Sequence, residues 1–436
     1  MKKSIGLLSI SSLLVLFGCG QDESSSAEVN IPEENEDISG DITVWAWELE
    51  ANYLEQDVLP EFEKEYPNVD VNIQNIGADQ IYQRLNSGFY SGGSGLPDVL
   101  QIENNRILSF STEFPDGFTN LSDIGYDKYD DQFPEAKTET LKNENGDYIA
   151  MPRDLGPVGV MYRTDIFEEA GVDPESIETW DDYIEAGVTI KEETGVPMLG
   201  MYEDNKLRSM IQQQDSYYFN EQGELNIDSK EAERALKTIE EMKNKELINY
   251  TNNWDGQVTA MKNGQVATQP DAVWWSGTMI EQMPELSGKW GMFELPAFEE
   301  GGVRASNNGG SALTIPSSSD NKEAAYAFSE FATTNVDMQI KGLENRGLFP
   351  SLEAAYEEDY FSQEIEYFSN QQYYLKFAET VENIPSINYT SDNLKVRDMM
   401  NGQIEALLLD DKPAEQILEE GEIRAERQTG RDIANN

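Results

Sequence analysis

The residues best suited to recognition chemistry fall where extended runs end. Trp45, Trp47, Glu48 and Glu50 close or follow the alternating run Asp41–Trp47, Glu103 follows Val99–Ile102, and Glu203-Asp204-Asn205 follows Pro197–Tyr202. Trp274 and Trp275 stand where an extended run meets a helix start, and Asp154 lies in the polar elbow Arg153-Asp154-Leu155-Gly156-Pro157. An indole face stacks on the C–H face of a sugar ring, while carboxylates and amides accept its hydroxyl protons. The loop Ser306-Asn307-Asn308-Gly309-Gly310-Ser311 would let backbone amides approach a ligand closely, although a simple turn needs glycine too. Core packing is the competing role for each tryptophan. Neighbours in a strand point to opposite faces, so at most one of Trp274 and Trp275 would face a cleft.

What the chain lacks narrows the chemistry. It has no histidine, which removes the commonest general base, the commonest zinc ligand and every Ser-His or Cys-His arrangement. One cysteine, Cys19, rules out disulfides and cysteine cages within the chain. No EF-hand spacing occurs, so neither a metal nor another cofactor is expected. The glycine-rich Ser91–Gly95 has no Walker lysine and lies between a helix and a strand, the wrong order for a phosphate cradle. Against 31 basic residues stand 83 acidic ones, formally −52, spread through every segment. Such a surface repels nucleic acid and anionic lipid, and reads as a solvated acidic coat suited to high salt or alkali, with a cationic partner as the alternative.

These groups need elements to hold them. Lys2 and Lys3 precede an apolar run, Ile5–Phe17, too short to span a bilayer, and Leu16-Phe17-Gly18-Cys19 looks like a bacterial lipobox. Residues 1–18 are therefore expected to be a lipoprotein signal peptide, with Cys19 lipidated and 19–40, rich in serine and acid, a disordered tether. A plain signal peptide is the simpler alternative. Beyond it the pattern reads β-α-β-α-β: strand 41–47, helix 53–66 with Leu54, Val58, Leu59 and Phe62 on one face, strand 69–76, helix 80–89 and strand 99–102. In a parallel sheet so wound, ligands collect beyond the carboxyl ends of the strands.

Tyr148–Pro152 and Val158–Tyr162, extended on either side of the elbow, read as a crossover into a second lobe, and Ser306–Ser311 as the return. Between them lie helices closed by Gly171 and Gly195 and a helix whose N-cap is expected at Asp228, with Glu231 three residues on. The expected division is 41–152 for the first lobe, 153–311 for the second, and 312–436 for a return to the first with closing helices near 363–380, 392–409 and 413–427.

Taken together, ITVWAW, LPEFEKEYPNVDV, GLPDVLQIE, YIAMPRDLGPVGVMYRTDIFEEAGV, TWDDY, AVWW with MPELSGKWG, and SNNGGSALTIP resemble the family 1 extracellular solute-binding proteins, the sugar-capture lipoproteins of ABC importers. TWDDYIEAG, MIQQQDSYYF and LPAFEEGG make the chain most similar to arabinose or arabino-oligosaccharide and lactose binders. The resemblance implies a type II periplasmic-binding-protein-like α/β fold, two lobes on hinge strands with a helical C-terminus. It implies a monomer on the outer face of a Gram-positive cell membrane, held by its lipid alone. Its partners would be a neutral mono- or oligosaccharide and the permease subunits of an importer, with no reaction catalysed. Carried over by position, the contacts are Trp47, Glu50, Glu103, Asp154, Glu203, Asn205, Trp274 or Trp275, and the Gly309-Gly310 backbone. A secreted glycoside hydrolase using two carboxylates is the alternative from another class, and a surface binder of peptides or cations a third.

Overall fold

In the computed structural model, which describes residue 31 and residues 35–410 and 412–434, the chain forms two five-stranded sheets. The signal segment, Cys19 and the tether up to residue 34, residue 31 excepted, lie outside the described residues. The first sheet starts with β1 (Gly40–Ala46), whose Val44, Trp45 and Ala46 are buried. Trp47, extended at φ −114° and ψ 148°, leads directly into α1 (Glu48–Tyr53), and a π-helical turn, Leu54–Val58, joins α1 to α2 (Leu59–Glu65). The helix thus begins before Tyr53, where the apolar spacing places it. Its first turn buries Glu50, a charged side chain that hydropathy assigns to solvent.

There follow β2 (Val69–Asn75), α3 (Ala78–Tyr90), β3 (Val99–Glu103), α4 (Asn104–Glu113), α5 (Glu135–Thr138) and β4 (Met151–Pro152). β1 pairs in parallel with β2 and β3, giving the β-α-β-α-β winding that the spacing implies. With the returning strand β10 (Ser311–Thr314) the sheet order is β2-β1-β3-β10-β4, and β10 runs antiparallel to β3 and β4.

The second sheet carries β5 (Val158–Arg163), α6 (Thr164–Ala170), α7 (Trp180–Thr194), β6 (Leu199–Met201), α8 (Asn205–Gln212), α9 (Lys230–Asn244), β7 (Ile248–Tyr250), α10 (Trp254–Lys262), β8 (Thr268–Ala272), α11 (Trp275–Gln282) and β9 (Trp290–Glu294), in the order β7-β6-β8-β5-β9. Local signals act as their chemistry dictates: Thr179 and Asp182 close a capping box on α7, and left-handed Gly171 and Gly195 end α6 and α7. The N-cap of α9 is Ser229, not Asp228; its hydroxyl accepts from the Ala232 backbone N–H, one residue later than the acidic spacing suggests.

The chain passes between the sheets at 153–157 and again between β9 and β10 (Ser311–Thr314). α12 (Lys322–Thr334) packs its Ala324, Ala325, Phe328 and Phe331 into the core of the first lobe. α13 (Val336–Arg346) follows, and then the chain crosses once more. α14 (Tyr373–Val381), α15 (Asn393–Asp410) and α16 (Ala414–Thr429) pack on the second lobe: Met400, Ile404, Leu407, Ile417 and Leu418 share one buried cluster with Val160, Phe167 and Ile239. Of the stretch 312–436, β10 and α12 lie with the first lobe, and the closing helices, to which the spacing assigned no lobe, pack on the second. An amphipathic stripe shows that a helix has a face to cover, not which lobe covers it. No helix among the described residues is long and apolar enough to cross a membrane.

Candidate binding cleft

Both crossovers meet at one point, and Lys137 ties them together. Its fully buried ammonium donates to the Asp154 carbonyl at 2.7 Å, the Ser311 carbonyl at 2.6 Å and Asn104 Oδ1 at 2.9 Å. Burial pushes the pKa of this lysine down to about 7. Asp154 in turn accepts from the Ser311 N–H at 2.7 Å and the Ser311 hydroxyl at 2.6 Å. The strands approach so closely that a Cβ on Gly310 (φ +98°) would stand 2.8 Å from the Asp154 carbonyl oxygen, and one on Gly156 would stand 2.2 Å from that of Asn308. Glycine is required there by contact, beyond any freedom a turn needs.

Beside this knot Arg153 Nε donates to Glu50 Oε1 at 2.8 Å, Nη1 donates to Gln339 Oε1 at 3.0 Å, and the guanidinium lies 4.2 Å from the Tyr53 ring centroid. Burial raises Glu50 to about 7 against the lowering pull of Arg153. Glu103, at the end of β3, is held by Arg106 Nε at 2.7 Å and the Tyr82 hydroxyl at 3.1 Å. Trp47 rests on Tyr82, ring centroids 6.2 Å apart, and its backbone N–H donates to Gln101 Oε1.

The opposite wall belongs to the second lobe. Arg208 Nε donates to Asp204 Oδ1 at 2.9 Å, one turn apart on a helical stretch, and the Tyr218 hydroxyl holds the other oxygen. Asp271 is wrapped by Lys206, Asn205 and Asn308, at 2.8 to 2.9 Å. The Trp274 indole N–H donates to the Asn308 carbonyl at 2.9 Å, which fixes its ring on the second crossover. Glu203 forms no ion pair among the described residues, and burial raises its pKa.

Between the walls lies a cavity of about 320 Å³. Of the residues singled out from sequence, Trp47, Glu50, Glu103, Asp154, Glu203, Trp274, Gly309 and Gly310 line it together. Two do not. Trp275 is the first residue of α11, 1% exposed, stacked on Trp254 with centroids 4.0 Å apart; it is core. Asn205 is spent on Asp271 beneath the surface. Glu50 reaches the cavity edge, but one of its oxygens is committed to Arg153. Sequence reasoning missed Gln101, Asn105, Arg208, Tyr389 and Arg397, which also line the cavity, as do Asn308 and Ser311 of the glycine-bearing loop. Asp204 and Arg208, four residues apart, carried a readable helical ion-pair signal; Tyr389 and Arg397 come from the far end of the chain and carried none. Among the described residues no cluster of acidic or sulfur ligands is placed to hold a metal ion.

Two α/β lobes joined by extended crossovers, with a polar and aromatic cavity at the junction, define a two-lobe ligand-binding protein. Residues 46–339 match the model of the bacterial extracellular solute-binding proteins, and the chain belongs to that family. It is 30% identical over 365 residues to a lactose-binding protein of Rhizobium radiobacter, covering 81% of this chain and 84% of that one. It is also 31% identical over 310 residues to an arabinooligosaccharide-binding protein of Halalkalibacterium halodurans, 68% of each chain. The fold matches the crystal structure of a family 1 extracellular solute-binding protein with a TM-score of 0.78 at 22% identity, covering 89% of this chain and 99% of that one. It likewise matches the β-1,6-galactobiose complex of a transporter-associated binding protein from B. animalis subsp. lactis Bl-04, with a TM-score of 0.73 at 24% identity over 89% and 98% of the chains.

Proposed function

We propose that this chain captures a neutral sugar or oligosaccharide, of arabino- or galactoside type, outside the cell and delivers it to the permease of an ABC importer. One observation carries the reading: Trp47 and Trp274, from opposite lobes, line a single cavity whose other groups are mostly carboxylates, amides and backbone. The ring faces of a sugar and its hydroxyls find partners on both walls, so the ligand favours the closed state by its differential affinity for it. The names of the two relatives support the sugar classes. An anionic solute would meet the field of a chain at −52.

The protein acts without catalysis, as a monomer anchored through lipid on Cys19 to the outer face of a Gram-positive membrane. Trp47, Glu103, Asp154, Glu203, Trp274 and the Gly309-Gly310 backbone are the contacts.

A thermal-shift panel of arabino- and galacto-oligosaccharides tests this. A ligand at about 100 times its Kd should stabilise the fold by about 2.7 kcal/mol. An unchanged melting temperature with every sugar of both classes overturns the substrate assignment, and release of shorter sugars during incubation overturns the non-catalytic one.

A further inference from the structure

The cavity between Trp47 and Trp274 is not the largest in the molecule. A second, of about 950 Å³, opens beside it. One wall is the first-lobe segment around Glu139–Gly146, the other the second-lobe segment Asp215–Asn226, and 386–389 contributes between them. Tyr389 lines both cavities. The smaller lies at the low end of the range that holds a small ligand, about 300–1,000 Å³, and the larger near its top.

The lining of the large cavity shares aromatic rings, amides and carboxylates with the smaller one, and adds Lys142. Tyr389 offers a ring, backed edge-on at 5.7 Å by the buried Tyr217, and the amides of Asn220, Asn226 and Asn388 line the cavity, each with its N–H groups already bonded to neighbouring oxygens. Next to Tyr389, Arg397 of α15 lines the smaller cavity. Its Nε is enclosed and has no hydrogen-bond partner, and the guanidinium has no ion pair among the described residues. In a chain with 83 acidic residues, a half-buried guanidinium with no carboxylate partner among the described residues is a donor left for something else. Enclosed polar groups without partners are costly, and a ligand oxygen is one way to satisfy them.

Resting on the sugar-binding reading, we propose that the site continues from the Trp47–Trp274 cavity past Arg397 and Tyr389 into the larger one, so that the ligand is an oligosaccharide of at least three units. The first units lie between the tryptophans, Arg397 donates to an oxygen at the junction, Tyr389 supports the chain there, and the amide-rich cavity takes the rest.

Calorimetry with arabino-oligosaccharides and β-galacto-oligosaccharides of two and of four units tests this on the full chain and on two blocking variants. Ser386→Trp and Glu144→Trp place an indole in the large cavity from exposed positions on different segments, so that one remains informative if the other misfolds. In the unaltered chain the four-unit sugar should bind at least about tenfold tighter than the two-unit one, the factor that about 1.4 kcal/mol carries. Either variant should bring the four-unit affinity down to the two-unit value and leave the latter unchanged. Equal affinity for both lengths, or equal weakening of both by the variants, overturns the extended site and leaves the sugar reading standing. Failure of every sugar of either length to bind overturns the sugar reading and this inference with it.

Discussion

The two walls of the cleft are made of similar residue types put to different uses. On the first-lobe side each named acid is engaged: Glu50 with Arg153, Glu103 with Arg106 and Tyr82, Asp154 with Ser311 beside Lys137. The second-lobe side includes groups held less tightly: among the described residues Glu203 has no ion pair and, on the closing helix, the Arg397 Nε has no hydrogen-bond partner. The bonds of Glu50 and Asp154 fix where the crossovers sit, while Glu203 and Arg397 leave an acceptor and a donor at the cavity. An acidic residue at a strand end is thus not enough to mark a ligand contact, because the same position serves to lock a hinge.

The sharpest way to break this contrast is at the Glu50–Arg153 pair. Arg153→Met leaves a buried carboxylate without its partner and should cost about 3–5 kcal/mol of stability, read by denaturant unfolding. A change below about 1 kcal/mol would mean the first wall is not the structural one.

Trp275→Ala should also cost about 3–5 kcal/mol, as for large core side chains. Trp274→Ala should cost less stability than Trp275→Ala, yet weaken sugar binding by about tenfold, the scale of one aromatic contact. Equal destabilisation by both would show the pair to be core throughout.

A more gradual effect is in the pH dependence. Lys137 has a folded pKa lowered to about 7, so the native state binds fewer protons than the unfolded chain between about 7 and the ordinary lysine value. Its contribution to stability therefore rises with pH across that window, by at most about 1.4 kcal/mol per pH unit. Glu50, raised to about 7, works in the opposite sense: its contribution is present below the ordinary glutamate value and is lost as pH climbs toward 7. Melting curves of Lys137→Met should lack the alkaline rise, and those of Glu50→Gln the loss below neutrality. An unchanged alkaline limb in Lys137→Met would show that this lysine is not desolvated.

Much of the architecture was legible because its signals are local. Thr179 and Asp182 with Gly195 bound α7, and the alternation in Asp41–Trp47 gave β1 to within a residue. The elbow Arg153–Pro157 was readable because two prolines flank it and extended runs adjoin it. What failed was what local pattern cannot hold. The start of α1 was hidden because Glu50 is buried through a partner 103 residues away.

By itself the sequence determined that this is a two-lobed α/β chain, that its cleft is aromatic and acceptor-rich, and that histidine and cysteine chemistry are absent from it. Periodicity, caps and composition are properties of neighbouring residues, and they survive being read in one dimension. Only the tertiary structure decided which of two adjacent tryptophans faces the cleft, which acids are spent on the hinge, and that the last helices bring Arg397 to a cavity bordered by residues 47 and 274. Those outcomes depend on contacts between segments separated along the chain, which packing selects and local spacing does not record.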